Sequence, residues 1–200
     1  MRKLIETRGL RLWVDHEVYT PREDSFLMID LLKQEELPLS SFCEIGPGTG
    51  IISLSVGYPD STVICCDINH QASMQTAENA RSNQFDHLLV VTTDGIAPFR
   101  RGALPKVIIF NPPYLPQDPE IDPYSPQYEL QQLVGGSRGD ETIAAIVDQL
   151  NPEDHLIYTI ISSLATNPIT FAQAHPQWQV RVLQAKNMGF ETIWVLKLEE

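Results

Sequence analysis

Short apolar runs alternate with amphipathic stretches along most of this chain. The apolar runs are rich in Ile, Val, Leu and Cys, and they predict buried strands at residues 41–45, 62–66, 88–92, 106–110 and 155–161. Helical periodicity falls between these strands, near residues 50–57, 70–83 and 140–150. This rhythm predicts an α/β fold in which a mostly parallel sheet is connected by right-handed crossovers.

The C-terminal stretch has a different pattern. Residues 178–186 and 191–198 each alternate between apolar and polar positions, which predicts an antiparallel strand pair at one edge of the sheet. With this pair the prediction is a seven-stranded sheet. We expect a single domain over residues 1–200, with an N-terminal extension and first helix at 1–37 and a Rossmann-like core at 38–200.

One segment interrupts the rhythm. Six of the 15 prolines fall between Pro112 and Pro126, together with Asp118, Glu120 and Asp122. Proline at this density does not allow a helix or a central strand, so we predict a long, stiff, acidic loop. Loops of this length inside compact domains are usually functional or disordered, and the stiffness and the tyrosines of the region favour a functional loop.

Composition and charge narrow the classes of function. The chain has 14 basic and 26 acidic side chains, a net charge of −12, and both halves are acidic. Binding to a nucleic acid backbone is therefore disfavoured, because neutralising phosphates requires clustered Lys and Arg. The apolar runs are too short to cross a bilayer, and the charged N-terminus does not resemble a signal peptide.

The three cysteines carry information about the compartment. Cys43, Cys65 and Cys66 lie in predicted strands and have no metal-ligand spacing. We interpret them as buried thiols of a protein in a reducing compartment, which predicts a cytoplasmic location and no bound metal.

The first candidate site is the run Glu44-Ile45-Gly46-Pro47-Gly48-Thr49-Gly50, where a predicted strand ends and a helix begins. Glycines at such a junction allow a sharp turn and a close approach of the backbone to a ligand. Asp67 closes the next strand, at the spacing from Gly46 where an acidic side chain accepts hydrogen bonds from ribose hydroxyls. Asp94 follows the third strand, where a polar group can contact an adenine ring.

Simpler interpretations of these residues stay open. Asp67 can begin a turn over Asp67-Ile68-Asn69, with Asn69 capping the helix at 70–83, and Asp94-Gly95 is a common turn dipeptide. The glycines are not followed by Lys-Ser or Lys-Thr, so this is not a P-loop. Because Glu44 would repel a pyrophosphate, the run favours a cofactor that presents an amine or a sulfonium. S-adenosylmethionine is therefore favoured over a nicotinamide dinucleotide.

The second candidate site is Asn111-Pro112-Pro113-Tyr114, directly after the strand at 106–110. The carboxyl end of a strand in an open α/β sheet lies in the ligand crevice. The side-chain carbonyl of Asn111 and the backbone carbonyl of Pro112 can both accept hydrogen bonds from a planar NH₂ group, which orients its nitrogen toward a methyl donor. The prolines hold these acceptors rigid, and Tyr114 offers a flat face to the substrate. A proline-rich turn with a capping asparagine is the alternative.

Together these motifs resemble those of the class I amino-methyltransferases. More narrowly, the segments at residues 18–26 (Val-Tyr-Thr-Pro-Arg-Glu-Asp-Ser-Phe) and 135–139 (Gly-Gly-Ser-Arg-Gly) are similar to the HemK/PrmC-like release-factor glutamine methyltransferases. Residues 191–197 are similar to the short archaeal and eukaryotic branch, and the resemblance runs from about residue 10 to 198. It implies a Rossmann-like, class I S-adenosylmethionine-dependent fold.

The resemblance also implies roles for individual residues. It implies catalytic roles for Asn111, Pro112, Pro113 and Tyr114. It implies S-adenosyl-L-methionine as cofactor, bound by Thr20, Glu44, Gly46, Gly48, Gly50, Asp67, Ile68, Asp94, Gly95 and Asn111.

The implied activity is transfer of a methyl group to the side-chain amide nitrogen, N5, of the glutamine in the Gly-Gly-Gln loop of a translation release factor. The acidic stretch from Asp118 to Asp122 would complement the basic residues that flank such loops. An adenine-N6 methyltransferase acting on DNA or RNA is the alternative, and the acidic charge argues against it. A cofactor-binding subunit without activity is disfavoured by the intact Asn-Pro-Pro-Tyr motif.

Two further expectations concern the start of the first helix and the edge of the sheet. Thr20, Pro21 and Glu23 predict a capping box for a helix that runs to about Glu35, and in the family the same segment lies against the methionine end of the cofactor. The strand at 88–92 is apolar and uncharged although it would lie at the edge of the sheet. The resemblance implies a small zinc-binding activator subunit that adds to this edge.

Overall fold

A computed structural model of the protein describes residues 2–35, 39–58, 60–100 and 102–200. The domain boundary predicted between residues 37 and 38 lies outside these ranges. The chain forms two compact units, one of residues 1–111 and one of residues 112–200. Each unit has its own secondary structure, and they are described in turn.

The first unit begins with an antiparallel hairpin of β1 (Lys3–Thr7) and β2 (Leu10–Val14). Its two turn residues, Arg8 and Gly9, both have positive φ angles, 52° and 80°. This is the conformation that a two-residue hairpin turn requires. This hairpin was not predicted from the sequence, because Arg-Gly lacks the Asn or Asp that usually marks such a turn.

A parallel sheet forms the centre of the first unit. Its strands are β3 (Ser41–Ile45), β4 (Thr62–Asp67), β5 (Leu88–Thr92) and β6 (Val107–Phe110), in the order β5-β4-β3-β6. Nearly all residues of β3 and β6 are buried, which explains their continuous apolar sequences. The four strands predicted in this part of the chain are confirmed.

Three helices accompany this sheet: α1 (Glu23–Gln34), α2 (Ile51–Val56) and α3 (His70–Ser82). The helices predicted near residues 50–57 and 70–83 are confirmed. Two asparagines, Asn79 within α3 and Asn83 as its C-cap, hold the hairpin through their amide groups. Asn79 accepts from the N–H of Trp13 (2.8 Å) and donates to its carbonyl (3.0 Å), and Asn83 pairs in the same way with Arg11 (3.0 and 2.8 Å). These side chains satisfy the free backbone edge of β2.

The predicted capping box at the start of α1 is wrong. The helix begins at Glu23, and its N-cap is Arg22, whose side chain makes no capping hydrogen bond. Arg22 has extended backbone angles (φ −131°, ψ −165°), so Thr20 and Pro21 lie outside the helix. The chain therefore enters the helix through an extended segment in place of a proline-initiated first turn.

The second unit contains two strands that pair antiparallel with a third. The strands are β7 (Leu156–Ser162), β8 (Gln179–Asn187) and β9 (Thr192–Glu199), and β9 pairs antiparallel with both β7 and β8. The predicted C-terminal pair is therefore confirmed. The helices of this unit are α4 (Gln127–Leu133), α5 (Glu141–Val147) and α6 (Pro168–Ala174). Of these, α5 was predicted, and α4 and α6 were not.

The acidic proline loop holds one element that its composition did not predict. Residues Asp122–Tyr124 form a single turn of 3₁₀ helix. The expectation of no helix in the loop needs this correction, because proline is tolerated in the first turn of a helix, where its missing N–H has no partner to lose.

The predicted fold class is confirmed. The described residues supply a mixed α/β fold with a seven-stranded, mostly parallel sheet and a C-terminal antiparallel pair. Among the described helices, none combines the length and the apolar character that crossing a bilayer requires.

Candidate active site

Three strand ends meet at the carboxyl edge of the parallel sheet. Ile45, the last residue of β3, lies opposite Cys66 of β4 on one side and opposite Phe110 of β6 on the other. The chain crosses from β3 to β4 on one side and later returns to β6 on the other side of β3. This is the topological switch point at which open α/β sheets bind ligands. The structure therefore brings the residues that follow β3, β4 and β6 to one place.

The glycine turn after β3 is built from left-handed residues. Gly46, Gly48 and Gly50 have φ angles of 64°, 59° and 79°. A residue with a side chain adopts this conformation only at a cost. A Cβ on Gly50 would also lie 3.1 Å from the Thr76 side chain, whereas nothing approaches a Cβ on Gly46 or Gly48 closer than 3.8 Å. Gly46 and Gly48 are thus needed for the turn itself, and Gly50 also for the packing against α3.

Asp67, the last residue of β4, fastens this turn. Its carboxylate is nearly buried and accepts hydrogen bonds from the backbone N–H groups of Gly48 (3.1 Å) and Asn69 (2.9 Å). Burial raises the pKa of Asp67, and the two N–H donors oppose that rise. Asn69 caps α3 by accepting from the N–H of Gln71 (2.9 Å). The turn interpretation is therefore correct for Asn69, while Asp67 also holds the glycine turn.

Glu44 faces inward. Its side chain is 1% exposed and accepts hydrogen bonds from the backbone N–H (2.9 Å) and the hydroxyl of Ser53, in α2. Burial raises the pKa of Glu44 to about 7, and the hydrogen bonds from Ser53 oppose this rise. The structure places this carboxyl against the first turn of α2. Its contact with a cofactor stays a prediction.

Asn111, directly after β6, is held by a carboxylate. Its side-chain Nδ2 donates to Oδ2 of Asp24 over 3.0 Å, and the hydroxyl of Tyr19 donates to the same carboxylate over 3.1 Å. The Oδ1 atom of Asn111 is buried and has no hydrogen-bond partner among the described residues. A buried acceptor without a donor costs about 1–3 kcal/mol. An unpaired acceptor at a switch point is therefore a candidate for contact with a ligand donor.

The other residues predicted to bind the cofactor lie around these strand ends. Ile68 follows Asp67 and is 68% exposed. Asp94 is exposed and Gly95 has a φ of 54°, which agrees with the turn interpretation of this dipeptide. Thr20 is half-buried and follows Tyr19, whose Cβ lies 3.9 Å from the Cβ position of Gly48. The contacts of Thr20, Ile68, Asp94 and Gly95 with a cofactor stay predictions.

In the second unit, the backbone after Asn111 lies against the Gly135–Gly139 loop. Leu115 donates to the carbonyl of Leu133 (2.8 Å) and accepts from the N–H of Gly135 (2.9 Å). A Cβ on Gly135 would overlap the carbonyl oxygen of Pro113, and one on Gly139 would lie 2.7 Å from that of Tyr114. The glycines of this loop are therefore required by close approach of two backbones. Pro113 and Tyr114 are held from behind by main-chain contacts.

The carboxylate of Glu141 makes the same loop rigid. It accepts hydrogen bonds from the Ser137 hydroxyl (2.7 Å) and from the N–H groups of Arg138 and Gly139 (3.0 Å each). These donors lower the pKa of Glu141 to about 2. The loop is thus closed by an ionised side chain at neutral pH.

Sequence reasoning missed Asp24 and Tyr19. Asp24 is 4% exposed although it is charged, and it lies on the same helical face as the buried Leu27, Met28 and Leu31. A carboxylate at an apolar position of a 3.6-residue repeat is the sequence signal by which Asp24 could have been found. No comparable local signal marks Tyr19, since its contact with Asp24 depends on the path of the chain into α1.

Comparison with known proteins decides the family. The family model described as the methyltransferase small domain matches residues 22–122. The chain is 35% identical to a putative protein N5-glutamine methyltransferase of Methanocaldococcus jannaschii, covering 96% of this chain and 97% of that protein. The chain belongs to the HemK/PrmC-like methyltransferase family. It is also 29% identical to methyltransferase HEMK2 of Homo sapiens, covering 90% of this chain and 89% of that protein.

Solved structures agree on the fold of this HemK/PrmC-like protein. The structure of the Mtq2-Trm112 complex from E. cuniculi, described as methylating the eRF1 translation termination factor, matches with a TM-score of 0.70. The match covers 92% of this chain and 99% of that chain at 23% identity, so it shows a shared methyltransferase fold.

A member of this family is an S-adenosylmethionine-dependent methyltransferase, and the residues of the first unit fit that cofactor. The glycine turn presents backbone without side chains at Gly46 and Gly48. Asp67 ends the neighbouring strand with a carboxylate whose oxygens keep further acceptor capacity. The unpaired Oδ1 of Asn111 lies at the end of the strand on the other side of β3. These three features occupy the crevice where such a fold binds its ligand.

Proposed function

We propose that this methyltransferase modifies the side-chain amide nitrogen, N5, of the glutamine in the Gly-Gly-Gln loop of a translation release factor. The observation that carries the proposal is the buried, unpaired Oδ1 of Asn111. A glutamine amide offers two N–H donors in one plane, and one of them can supply the hydrogen bond that Asn111 Oδ1 lacks. Relatives support the substrate class, since they include the eRF1 methyltransferase catalytic subunit mtq2 of Schizosaccharomyces pombe and a release factor glutamine methyltransferase of Streptococcus pneumoniae.

In the proposed mechanism, the chain acts mainly by positioning. When bound, S-adenosylmethionine supplies an electrophilic methyl group on its sulfonium. Asn111 Oδ1 accepts one N–H of the glutamine amide, and the backbone carbonyl of Pro112 accepts the other. Two fixed N–H groups set the plane of the amide, so that the face of the nitrogen is directed toward the methyl group. Pro112 and Pro113 hold these acceptors rigid, and Tyr114 packs on the flat amide.

The proposed cofactor site is built on the glycine turn. Gly46, Gly48 and Gly50 shape the backbone that lies along the cofactor, and Asp67 accepts from the ribose hydroxyls. The side chains of Ile68 and Asp94, with the Gly95 turn, flank the adenine ring. Glu44, Thr20 and Asn111 complete the set, and the inward direction of Glu44 supports a role through the geometry of α2.

Recognition of the release factor is proposed for the acidic loop. Asp118 accepts from the N–H groups of Glu120 and Ile121, and Asp122 accepts from the N–H of Asp118, so the loop has its own internal support. Tyr124 is exposed beside this acidic segment. Negative charge on a supported loop complements basic residues that flank a Gly-Gly-Gln sequence.

The proposal treats residues 1–200 as one methyltransferase domain in the cytoplasm. All three cysteines are buried free thiols, which supports a reducing compartment.

We further propose that a small zinc-binding activator subunit pairs with the edge strand β5. Leu89 of this strand is 56% exposed, and no charged side chain protects the strand. The E. cuniculi relative was solved as a Mtq2-Trm112 complex. We expect the isolated chain to be poorly soluble or weakly active, and a monodisperse, fully active monomer would contradict this. Leu89→Lys should abolish activation, whereas Val182→Lys, on exposed strand β8, should not.

The substrate proposal is tested by transfer of labelled methyl groups from S-adenosylmethionine. The acceptors are a Gly-Gly-Gln release factor, the same factor with Gln replaced by Ala, and DNA and RNA that contain adenine. We expect label in the native factor alone. The label should appear faster when the activator is present than when it is absent. Label in the nucleic acids, and none in the factor, would establish the adenine alternative instead.

A further inference from the structure

Asp24 determines which way the amide of Asn111 faces. A carboxylate can only accept hydrogen bonds, so the atom of Asn111 that lies 3.0 Å from Asp24 Oδ2 must be the donor Nδ2. The other amide atom, Oδ1, is then directed away from Asp24, where it is buried without a partner. The orientation of the proposed substrate acceptor is thus set by a residue 87 positions away in the sequence.

The carboxylate is itself held in place. Its Oδ1 accepts from the backbone N–H of Ser25 over 2.6 Å, and the Tyr19 hydroxyl donates to it over 3.1 Å. The side chain is 4% exposed, so water does not compete for these bonds. These bonds hold the Asp24 carboxylate with its Oδ2 facing Asn111.

We propose that Asp24 is a positioning residue of the methyl transfer, which acts by fixing the Asn111 amide with its Oδ1 toward the substrate nitrogen. This inference rests on the proposed function of Asn111. Asp24 does not touch the substrate in this account. Its effect on the reaction passes entirely through the Asn111 side chain.

Asp24→Asn and Asp24→Ala should differ in a way that a purely structural role of Asp24 does not predict. In Asp24→Asn, the new amide keeps its oxygen on the N–H of Ser25 and so presents NH₂ to Asn111. Two donors then face each other, and Asn111 relieves this by turning its amide through 180°, which withdraws Oδ1 from the substrate. In Asp24→Ala, the Asn111 amide is released but not turned. The isosteric variant should therefore be at least as impaired as the truncated one.

The test measures kcat and KM for a release-factor substrate and the Kd for S-adenosylmethionine. The enzymes are wild type, Asp24→Asn, Asp24→Ala and the control Asp30→Asn, which makes the same substitution at an exposed carboxylate of the same helix. We expect Asp24→Asn to lower kcat by a factor of about 10 to 100, with a much smaller change in Kd, because a misplaced group costs rate more than binding. Asp30→Asn should match wild type in all three quantities.

Three results would overturn the inference. They are a kcat for Asp24→Asn within about threefold of wild type, a kcat for Asp24→Asn well above that of Asp24→Ala, and a loss of cofactor affinity that parallels the loss of kcat. If Asp24→Ala does not fold, the comparison of Asp24→Asn with Asp30→Asn decides. A wild-type enzyme that transfers no methyl group to the release factor, even with the proposed activator subunit present, refutes the proposed function instead, before Asp24 is tested.

Discussion

The buried carboxyl of Glu44 accepts a 2.9 Å hydrogen bond from the backbone N–H of Ser53, which joins the end of β3 to the first turn of α2. The Ser53 hydroxyl donates to the same oxygen. The glycine turn lies in the chain between these two residues. Its two ends are therefore fixed by one carboxyl group that the solvent does not reach.

Glu44→Gln should change how stability depends on pH. Because burial raises the folded-state pKa of Glu44 to about 7, the folded protein binds the proton more tightly than the unfolded chain. The stabilisation from this group is complete below the unfolded pKa of 4.5 and is lost as the pH rises toward 7. The amide of the variant does not titrate. Between pH 4.5 and 7.5, the free energy of unfolding of the variant minus that of wild type should therefore rise by on the order of 3 kcal/mol.

Urea denaturation at a series of pH values measures this difference. The control is Glu120→Gln, which removes the same charge from an exposed position. Parallel pH profiles for wild type and Glu44→Gln would contradict the inward, buried placement of this carboxyl.

Asn79→Asp should destabilise the protein and weaken cofactor binding together. Asn79 Nδ2 donates to the carbonyls of Trp13 (3.0 Å) and Thr49 (2.9 Å), so it ties the hairpin and the glycine turn to α3. An aspartate has the same shape but no donor for either carbonyl, and its charge would be buried. The expected loss is on the order of 3 kcal/mol.

Asn83→Asp is the matched control for this prediction. Asn83 lies one turn later on α3 and makes the same pair of bonds with Arg11, at an exposed position. Its replacement should cost about 1 kcal/mol and leave the cofactor affinity unchanged. Equal effects of the two variants in thermal unfolding and calorimetric titration would show that Asn79 has no special role at the turn.

Gly139→Ala should impair methyl transfer, while Gly189→Ala should not. The two glycines have nearly the same φ angle, 93° and 92°, so an alanine pays about the same backbone strain, of roughly 1 kcal/mol, at either position. At Gly139 the new Cβ would lie 2.7 Å from the carbonyl oxygen of Tyr114, whereas at Gly189 no atom of the described residues lies within 4 Å.

The difference between the two alanine variants measures the close packing around Gly139, where the new Cβ would also lie 2.8 Å from the Pro116 nitrogen and 2.9 Å from the Ala165 Cβ. Overpacking at Gly139 should cost a further 1–3 kcal/mol, approximately, and lower kcat. Differential scanning calorimetry and initial rates measure both effects. Gly139→Ala with the stability and the rate of Gly189→Ala would contradict a role for this close approach.

The elements that the sequence predicts well are those with a strong local signal. Buried parallel strands such as β3 and β6 carry uninterrupted apolar residues, and the glycine turn and Asn111 are recognisable because each directly follows such a strand. The β1–β2 hairpin was not predicted, since its partner is a pair of asparagines on α3. A contact over more than sixty residues leaves no periodic pattern in either segment.

The directions of site side chains were harder to predict than their positions. The sequence indicated that Glu44 suits a cofactor with an amine or a sulfonium, but it did not predict the hydrogen bond of this side chain with Ser53 of α2. The sequence at Thr20 matches the capping-box pattern, but the helix does not begin there, because the backbone of Arg22 is extended. Asp24 was passed over because its partner, Asn111, is brought to it only by the fold.

In the proposed mechanism Asn111 positions a glutamine amide for methylation, and mass spectrometry of a Gly-Gly-Gln release factor is the direct test of this role. The factor is incubated with S-adenosylmethionine and either wild type or Asn111→Ala, and calorimetry checks that both enzymes bind the cofactor. We predict one methyl group on the side-chain nitrogen of that glutamine with wild type, and none with Asn111→Ala. A methyl group at another residue, or equal methylation by Asn111→Ala, would contradict the account.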